Sequence, residues 1–179
     1  MAKLTHYKKT GAVAMVDITA KSVTERMAIA RGFVRVSGAA LRAIRRMDTP
    51  KGDPLEVARI AGIAAAKRTS EWIPLCHPLP LTHIDVTARL CKNGVEITSR
   101  VTASARTGVE MEALVAVGAA ALTVYDMLKA VDRGMTITDI ELLEKRGGTR
   151  GDYVRPGRRT GRAGRSGKTS ARRRPANSR

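Results

Sequence analysis

The sequence predicts an α+β fold in which helices pack on one face of an antiparallel sheet. Three observations carry this. Residues from Ile84 to Val101 alternate apolar and polar side chains around an Asn93-Gly94 turn, the pattern of a hairpin with one buried face. Two long apolar segments have helical character, one opening on Asp53 and the other stopped by Gly134. Strand and helix signals are interspersed, with a hairpin between the long helices, which suits helices laid over an antiparallel sheet.

Residues 1–11 are polar and read as loose, and Ala12 to Ile18 is a short apolar run expected as a strand. Met27 to Val36, rich in Ile, Phe and Val, reads as a second strand. Ser37 is an N-cap candidate for a helix from Gly38 to about Met47. After the Asp48–Gly52 loop, Asp53 caps a helix with Pro54 at its first position and Glu56 three residues after the cap. That helix is expected to run to Trp72, with Val57, Ile60, Ala61, Ala64 and Ala65 on one face. Pro74, Pro78 and Pro80 exclude a regular helix or interior strand over Ile73–Pro80. In the hairpin, Ile84, Val86, Ala88 and Leu90 point one way and Asp85, Thr87 and Arg89 the other. A long helix is expected from Val109 to Asp132 and a last strand from Thr136 to Glu144. The expected order is thus β-β-α-α-β-β-α-β.

The 179 residues suffice for one domain with a real core. Aromatics are only 3%, so Ala, Val, Ile, Leu and Met must build that core. The net charge of +17 is uneven: Val154 to Arg179 holds ten Lys/Arg and no acid. The remaining 23 cations against 16 acids leave residues 1–153 at +7. Residues 1–153 therefore read as the folded domain and 154–179 as a basic tail, disordered for want of apolar groups to bury. Two cysteines without CxxC spacing exclude a disulfide scaffold and a standard zinc module, and no metal site is read. The longest apolar run, Ala113–Val124, has 12 residues, short of the roughly 20 a membrane span needs. With no signal segment at the start, a cytoplasmic protein is expected.

Four constellations carry chemistry. Lys67-Arg68 leads into Ile73-Pro74-Leu75-Cys76-His77-Pro78-Leu79, where prolines stiffen a loop that presents His77. The same loop also reads as a rigid connector. Cys76 and His77, adjacent in extended chain, point apart, which disfavours a dyad or joint metal ligation. Glu110 and Glu112 stand at the start of the long helix, about 200° apart on it, one free to serve the dipole and the other a ligand. Asp126 and Lys129 are i, i+3 and share a face. They read either as a surface ion pair or as an acid/base carboxylate beside a cation. Lys145-Arg146-Gly147-Gly148-Thr149-Arg150-Gly151-Asp152-Tyr153 reads as a phosphate-binding strap or as an exit loop, and no Walker motif is present. Lys51 stands at a helix entrance, where the dipole also favours anions. Together Lys51, Lys67, Arg68, Lys129, Lys145 and Arg146 could line a polyphosphate or nucleotide site. These residues alone name no reaction.

The stretches MVDI from Met15, KGD from Lys51, ARIAGIAAAK from Ala58, IPLCHPL from Ile73, TGVEMEAL from Thr107, ALTVYDMLKAV from Ala121 and the closing KRGG-x-RGD-Y from Lys145 form one pattern, of which IPLCHPL and the TGVEMEAL…YDMLKAV pair are long and specific. On them the chain resembles the cyclic pyranopterin monophosphate synthase family of molybdenum-cofactor biosynthesis, the MoaC type, over about residues 4–153. The resemblance implies a lyase with a ferredoxin-like α+β fold. Its reaction converts a 3′,8-cyclized dihydro-GTP, made by a radical enzyme, into cyclic pyranopterin monophosphate with release of pyrophosphate. It further implies a homohexamer, a trimer of dimers, with the site between subunits. No tightly bound cofactor is implied, and Mg2+ is left open as a companion of the triphosphate. By analogy Asp126 is the general acid/base, and Lys129 and Lys51 donate protons and neutralise phosphate. Leu75, Cys76 and His77 form one substrate wall, and Met111 and Glu112 another with Glu110 behind it. Lys67, Arg26, Lys145 and Arg146 are further phosphate contacts. The Arg-rich tail departs from the family pattern and raises the rival expectation of nucleic-acid binding, since ten cations without acids suit phosphate backbones.

Overall fold

The computed structural model describes residues 11–49 and 51–156. In chain order its elements are β1 (Thr24–Arg35), α1 (Gly38–Arg46), α2 (Pro54–Ala66), α3 (Thr69–Trp72), β2 (Leu81–Cys91), β3 (Gly94–Ala105), α4 (Glu110–Leu128), β4 (Thr136–Arg146) and β5 (Tyr153–Val154). The strands form one antiparallel sheet of order β2-β3-β1-β4-β5. The α+β expectation therefore holds, with the hairpin β2–β3 placed where the Asn93-Gly94 signal put it.

Register makes the buried face. Ala28 stands opposite Val101, Ala30 opposite Ser99, and Val34 opposite Val95. Ile84, Val86, Ala88 and Leu90 extend the same rows across β2. Helices α2 and α4 cover this face side by side, and α1 adds Ala40 and Ile44 to the core. The core is built from small groups, its largest fully buried side chains being Ile97 and Leu128. Small residues let the two long helices approach closely. A Cβ on Gly62 of α2 would sit 2.9 Å from the Ala116 carbonyl oxygen of α4 and 3.1 Å from Val86 Cγ1.

Two caps follow the expected chemistry. The Ser37 hydroxyl accepts from the Ala40 N–H at 3.3 Å, and the Asp53 carboxylate accepts from the Leu55 N–H at 2.9 Å. Other boundaries differ. Of Ala12–Ile18 only Val13 makes a single bridge, so the expected first strand is absent. Asp17 accepts from the Thr19 N–H at 2.8 Å and turns the chain instead. The helix expected to reach Trp72 ends at Ala66. Arg68 leaves helical geometry (φ -117, ψ 18), and α3 is a separate turn whose Thr69 hydroxyl donates to the Ala66 carbonyl. Helix α4 stops at Leu128 rather than Asp132: after the Lys129 cap the chain tightens into a turn in which the Val131 and Asp132 N–H groups both donate to the Leu128 carbonyl, and the Asp132 carboxylate then accepts from the Ser37 and Gly134 N–H groups. Beyond β4, the pair Tyr153–Val154 adds a short fifth strand, and Arg155 pairs with Glu141 at 2.7 Å. Val154 and Arg155, expected at the start of a disordered tail, are thus ordered by these pairings; Pro156 is the last described residue, so the expected disorder of the rest of the tail lies outside the described residues, as does nearly all of the loose start.

The apolar face expected on α2 is only partly the buried one. Pro54, Ala58, Gly62, Ala65 and Ala66 are buried, while Ile60 is 54% exposed and Val57 is also exposed. The helix is apolar on both sides, and its second apolar side faces outward. Helix α4 is long and apolar enough to cross a membrane by composition, but most of it is buried in this core.

Candidate active site

The chemistry-bearing residues gather in two places. At the C-terminal end of α4, Asp126 lies between two lysines: Lys129 Nζ is 2.7 Å from Oδ1 and Lys51 Nζ is 2.7 Å from Oδ2. Each carboxylate oxygen has its own cation. The lysine hydrogen bonds, that from Lys129 foremost, hold the Asp126 carboxyl down at about 2. Lys129 is the C-cap of α4, where a cation also suits the helix dipole. All three side chains are about half exposed, and Asp126 borders a groove of about 450 Å³ between α2 and α4, walled by Ala61, Ala64, Ala119 and Leu122.

At the N-terminal end of α4 is a larger cleft of about 810 Å³. One wall is the proline-stiffened loop with Leu75, Cys76 and His77; another is Glu110, Met111 and Glu112 from the first turn of α4. Residues 16–22, the stretch expected to begin in a strand, lie along the rim. They are tied there by a hydrogen bond that Arg106 donates to the Thr19 carbonyl. The charge of His77 helps lower the Asp17 carboxyl on that rim, after the larger effect of Thr19. Arg26 is 8% exposed, its Nε donates to the Ala105 carbonyl at 3.2 Å, and it forms no ion pair among the described residues. Gly147 and Gly148 (φ +86 and +93) close over it. A Cβ on Gly148 would strike the Arg26 guanidinium, so the strap needs glycine there.

The two glutamates of this cleft differ. Glu110 has Lys145 at 3.7 Å. Glu112 is 4% exposed and has no cation partner among the described residues. Burial pushes its carboxyl up to about 7; its own backbone N–H opposes this, and the Glu110 charge adds to it. The Cys76 thiol is also pushed up, by burial and then by the Glu112 charge, so Cys76 is not an activated thiolate.

Eleven of the thirteen residues singled out from the sequence therefore lie in the larger cleft or in the Asp126 cluster with its two lysines. Lys67 is exposed at the end of α2 and lines neither place. Arg146 pairs with Glu144 and also stands outside both. Leu75 through His77 meet Met111 and Glu112, but they do not meet Asp126 within one chain. From Glu112 to Asp126 is fourteen residues of helix, or about 21 Å at 1.5 Å per residue. The cations Lys21 and Arg106 also line the cleft and escaped the sequence reading, and Arg150 of the glycine-rich strap lines it too. For Arg106 a signal existed: a cation and Gly108 immediately before a helix start favour an anion.

The MoaC family model matches residues 15–148, which includes both places. A protein of Thermomicrobium roseum called cyclic pyranopterin monophosphate synthase is 56% identical over 157 residues, covering 87% of this chain and 95% of the relative. A synthase of the same name from Novosphingobium aromaticivorans is 52% identical, covering 86% of this chain and 98% of the relative. Cyclic pyranopterin monophosphate synthase 2 of Mycobacterium bovis is 53% identical, covering 86% and 92%.

Proposed function

Because the chain belongs to the MoaC family, we propose that it is a cyclic pyranopterin monophosphate synthase. It is a lyase of molybdenum-cofactor biosynthesis that converts 3′,8-cyclized dihydro-GTP to the cyclic monophosphate and releases pyrophosphate. The observation that carries the chemistry is the Asp126 carboxylate held 2.7 Å from both Lys51 and Lys129. A triphosphate brings about four negative charges, and lysine and arginine donors are the means to hold them. Charge moves onto the departing pyrophosphate, and fixed cations stabilise it as it develops. Rebuilding a purine-derived ring needs proton transfers, which carboxyls and lysines perform.

In this reading the site is completed between copies. Within one chain the His77 wall and the Asp126 cluster are too far apart for one nucleotide-sized ligand. Between them α4 presents an outward stripe through Leu114, Gly118 and Leu122. Leu122 is 56% exposed, and a Cβ on Gly118 would meet nothing within 4 Å inside the chain. A mid-helix glycine costs about 1 kcal/mol against alanine, so close approach of a second copy gives it a reason. Trp72 and Ile60, exposed beside the groove, suit the same contact. The expected hexamer of three dimers is kept as part of this proposal. So is the ferredoxin-like class, supported by the order β4-β1-β3-β2 in a β-α-β-β-α-β succession. Cytoplasmic placement, supply of substrate by a radical enzyme, and magnesium carried in by the triphosphate belong to the same reading. A main role in nucleic-acid binding finds no support, since the relatives carry synthase names and the family match ends at residue 148.

The test is incubation of the full chain with cyclized dihydro-GTP, with pyrophosphate and pterin measured together. Production of both at equal rates is expected; release of neither overturns the assignment.

A further inference from the structure

We propose that Glu112 is a further proton donor of the site, beside the two lysines at Asp126, and passes its carboxyl proton to a basic ring nitrogen of the purine-derived substrate. The proposal rests on the synthase reading above and deepens it.

The geometry divides labour between carboxyls on one helix. Asp126 is clamped by two lysine ammonium groups and stays ionised, so it holds those lysines in place and has no proton to give near neutral pH. Glu110 has Lys145 within ion-pair range. Glu112 alone among the site carboxyls is buried without a cation, in the first turn of α4, on a wall of the larger cleft. The titratable and charged groups around that cleft come from every element that forms it. Cys76 and His77 come from the proline loop, Glu110 from α4, Arg26 from β1, Lys145 from β4, Arg150 from the strap after it, Lys21 from the rim and Arg106 from the segment before α4. Arg26 is turned to the Ala105 carbonyl and Lys145 to Glu110, so neither forms an ion pair with Glu112. A neutral carboxyl at this position presents an O–H to whatever fills the cleft, where a charged one would present only acceptors.

The step moves one proton. The Glu112 O–H bond breaks, an N–H bond forms on the ring nitrogen, the carboxylate keeps the electron pair, and water returns a proton once product has left. The environment that raised the carboxyl at rest makes that return favourable.

The experiment compares the full-length wild type with Glu112→Gln and Glu112→Asp. Turnover of cyclized dihydro-GTP is followed from about pH 5 to about pH 9, and substrate binding is followed by calorimetry. A pH titration of the carboxyl C=O band in infrared difference spectra of the substrate-free protein is recorded in parallel. Expected are a wild-type kcat/KM that falls as pH rises through about 7, and a carboxyl band that titrates there and is missing in Glu112→Gln. Glu112→Gln should still bind substrate but lose about 100-fold or more in kcat and lose that limb of the profile. Glu112→Asp should restore part of the rate with the limb displaced. A Glu112→Gln chain that turns over with the wild-type profile, or a wild type without a carboxyl band titrating near neutral pH, overturns the proposal and leaves the synthase reading standing. A wild type that releases no pyrophosphate overturns both.

Discussion

Asp126 and Glu112 carry the same functional group on the same helix, and their surroundings drive them in opposite directions. Lysine hydrogen bonds hold Asp126 low, and burial lifts Glu112 to about 7. Asp126→Asn removes the charge that gathers Lys51 and Lys129. It should leave far-ultraviolet circular dichroism and thermal melting close to wild type, because the pair is exposed, while turnover falls about 100-fold or more. Glu112 has a consequence for stability. Its folded-state pKa lies above the unfolded value of 4.5, so the native state holds the proton more tightly. The penalty for burying the charge is absent below that value, grows as pH rises, and is complete above about 7. Glu112→Gln should therefore match wild type in urea denaturation near pH 4 and exceed it by about 3 kcal/mol near pH 8. The residue types in both places were legible in the sequence, and so was the pairing of Asp126 with Lys129. The division between a charged and a neutral carboxyl was not, because it depends on what the fold packs around the cleft that holds Glu112 from segments distant in sequence.

Among the elements, those whose signals are local were read correctly. Ser37 and Asp53 cap their helices through their own side chains, and the hairpin turns where Asn93-Gly94 indicated. Elements decided by distant partners were misread. Residues 12–18 have strand-like composition, yet Val16 and Ile18 serve the rim of a cleft rather than a sheet. Asp132 was counted into α4, but the N–H of Ser37, 95 residues away, takes its carboxylate. Helix α2 shows the same limit: its periodicity revealed an apolar face, and that face was not wholly the one turned to the core. Gly62 marks the true one. Gly62→Ala should destabilise by about 1–3 kcal/mol in chemical denaturation despite alanine's better helix propensity, because the new methyl meets backbone of α4 at 2.9 Å. A neutral or stabilising result would mean that α2 and α4 can part without cost.

At the scale of the whole molecule, the basic tail and the enzyme are separable. The chain is anchored as far as Arg155 by the Glu141 ion pair and by the hydrogen bond from its N–H to the Leu143 carbonyl. Deleting residues 157–179 should leave turnover unchanged and abolish retention on a nucleic-acid matrix at low salt. A large drop in turnover would place the tail in the site. Helix α4 has one more consequence. It keeps the Glu112 wall and the Asp126 cluster about 21 Å apart in every copy, so in the proposed assembly each chain lends its two ends to two different sites. Two dead proteins should then revive one another. Glu112→Gln and Asp126→Asn chains, unfolded together and reassembled at equal amounts, should form intact sites at roughly a quarter of positions and recover roughly that share of wild-type turnover. Were a single chain self-sufficient, the blend would stay as inert as its ingredients.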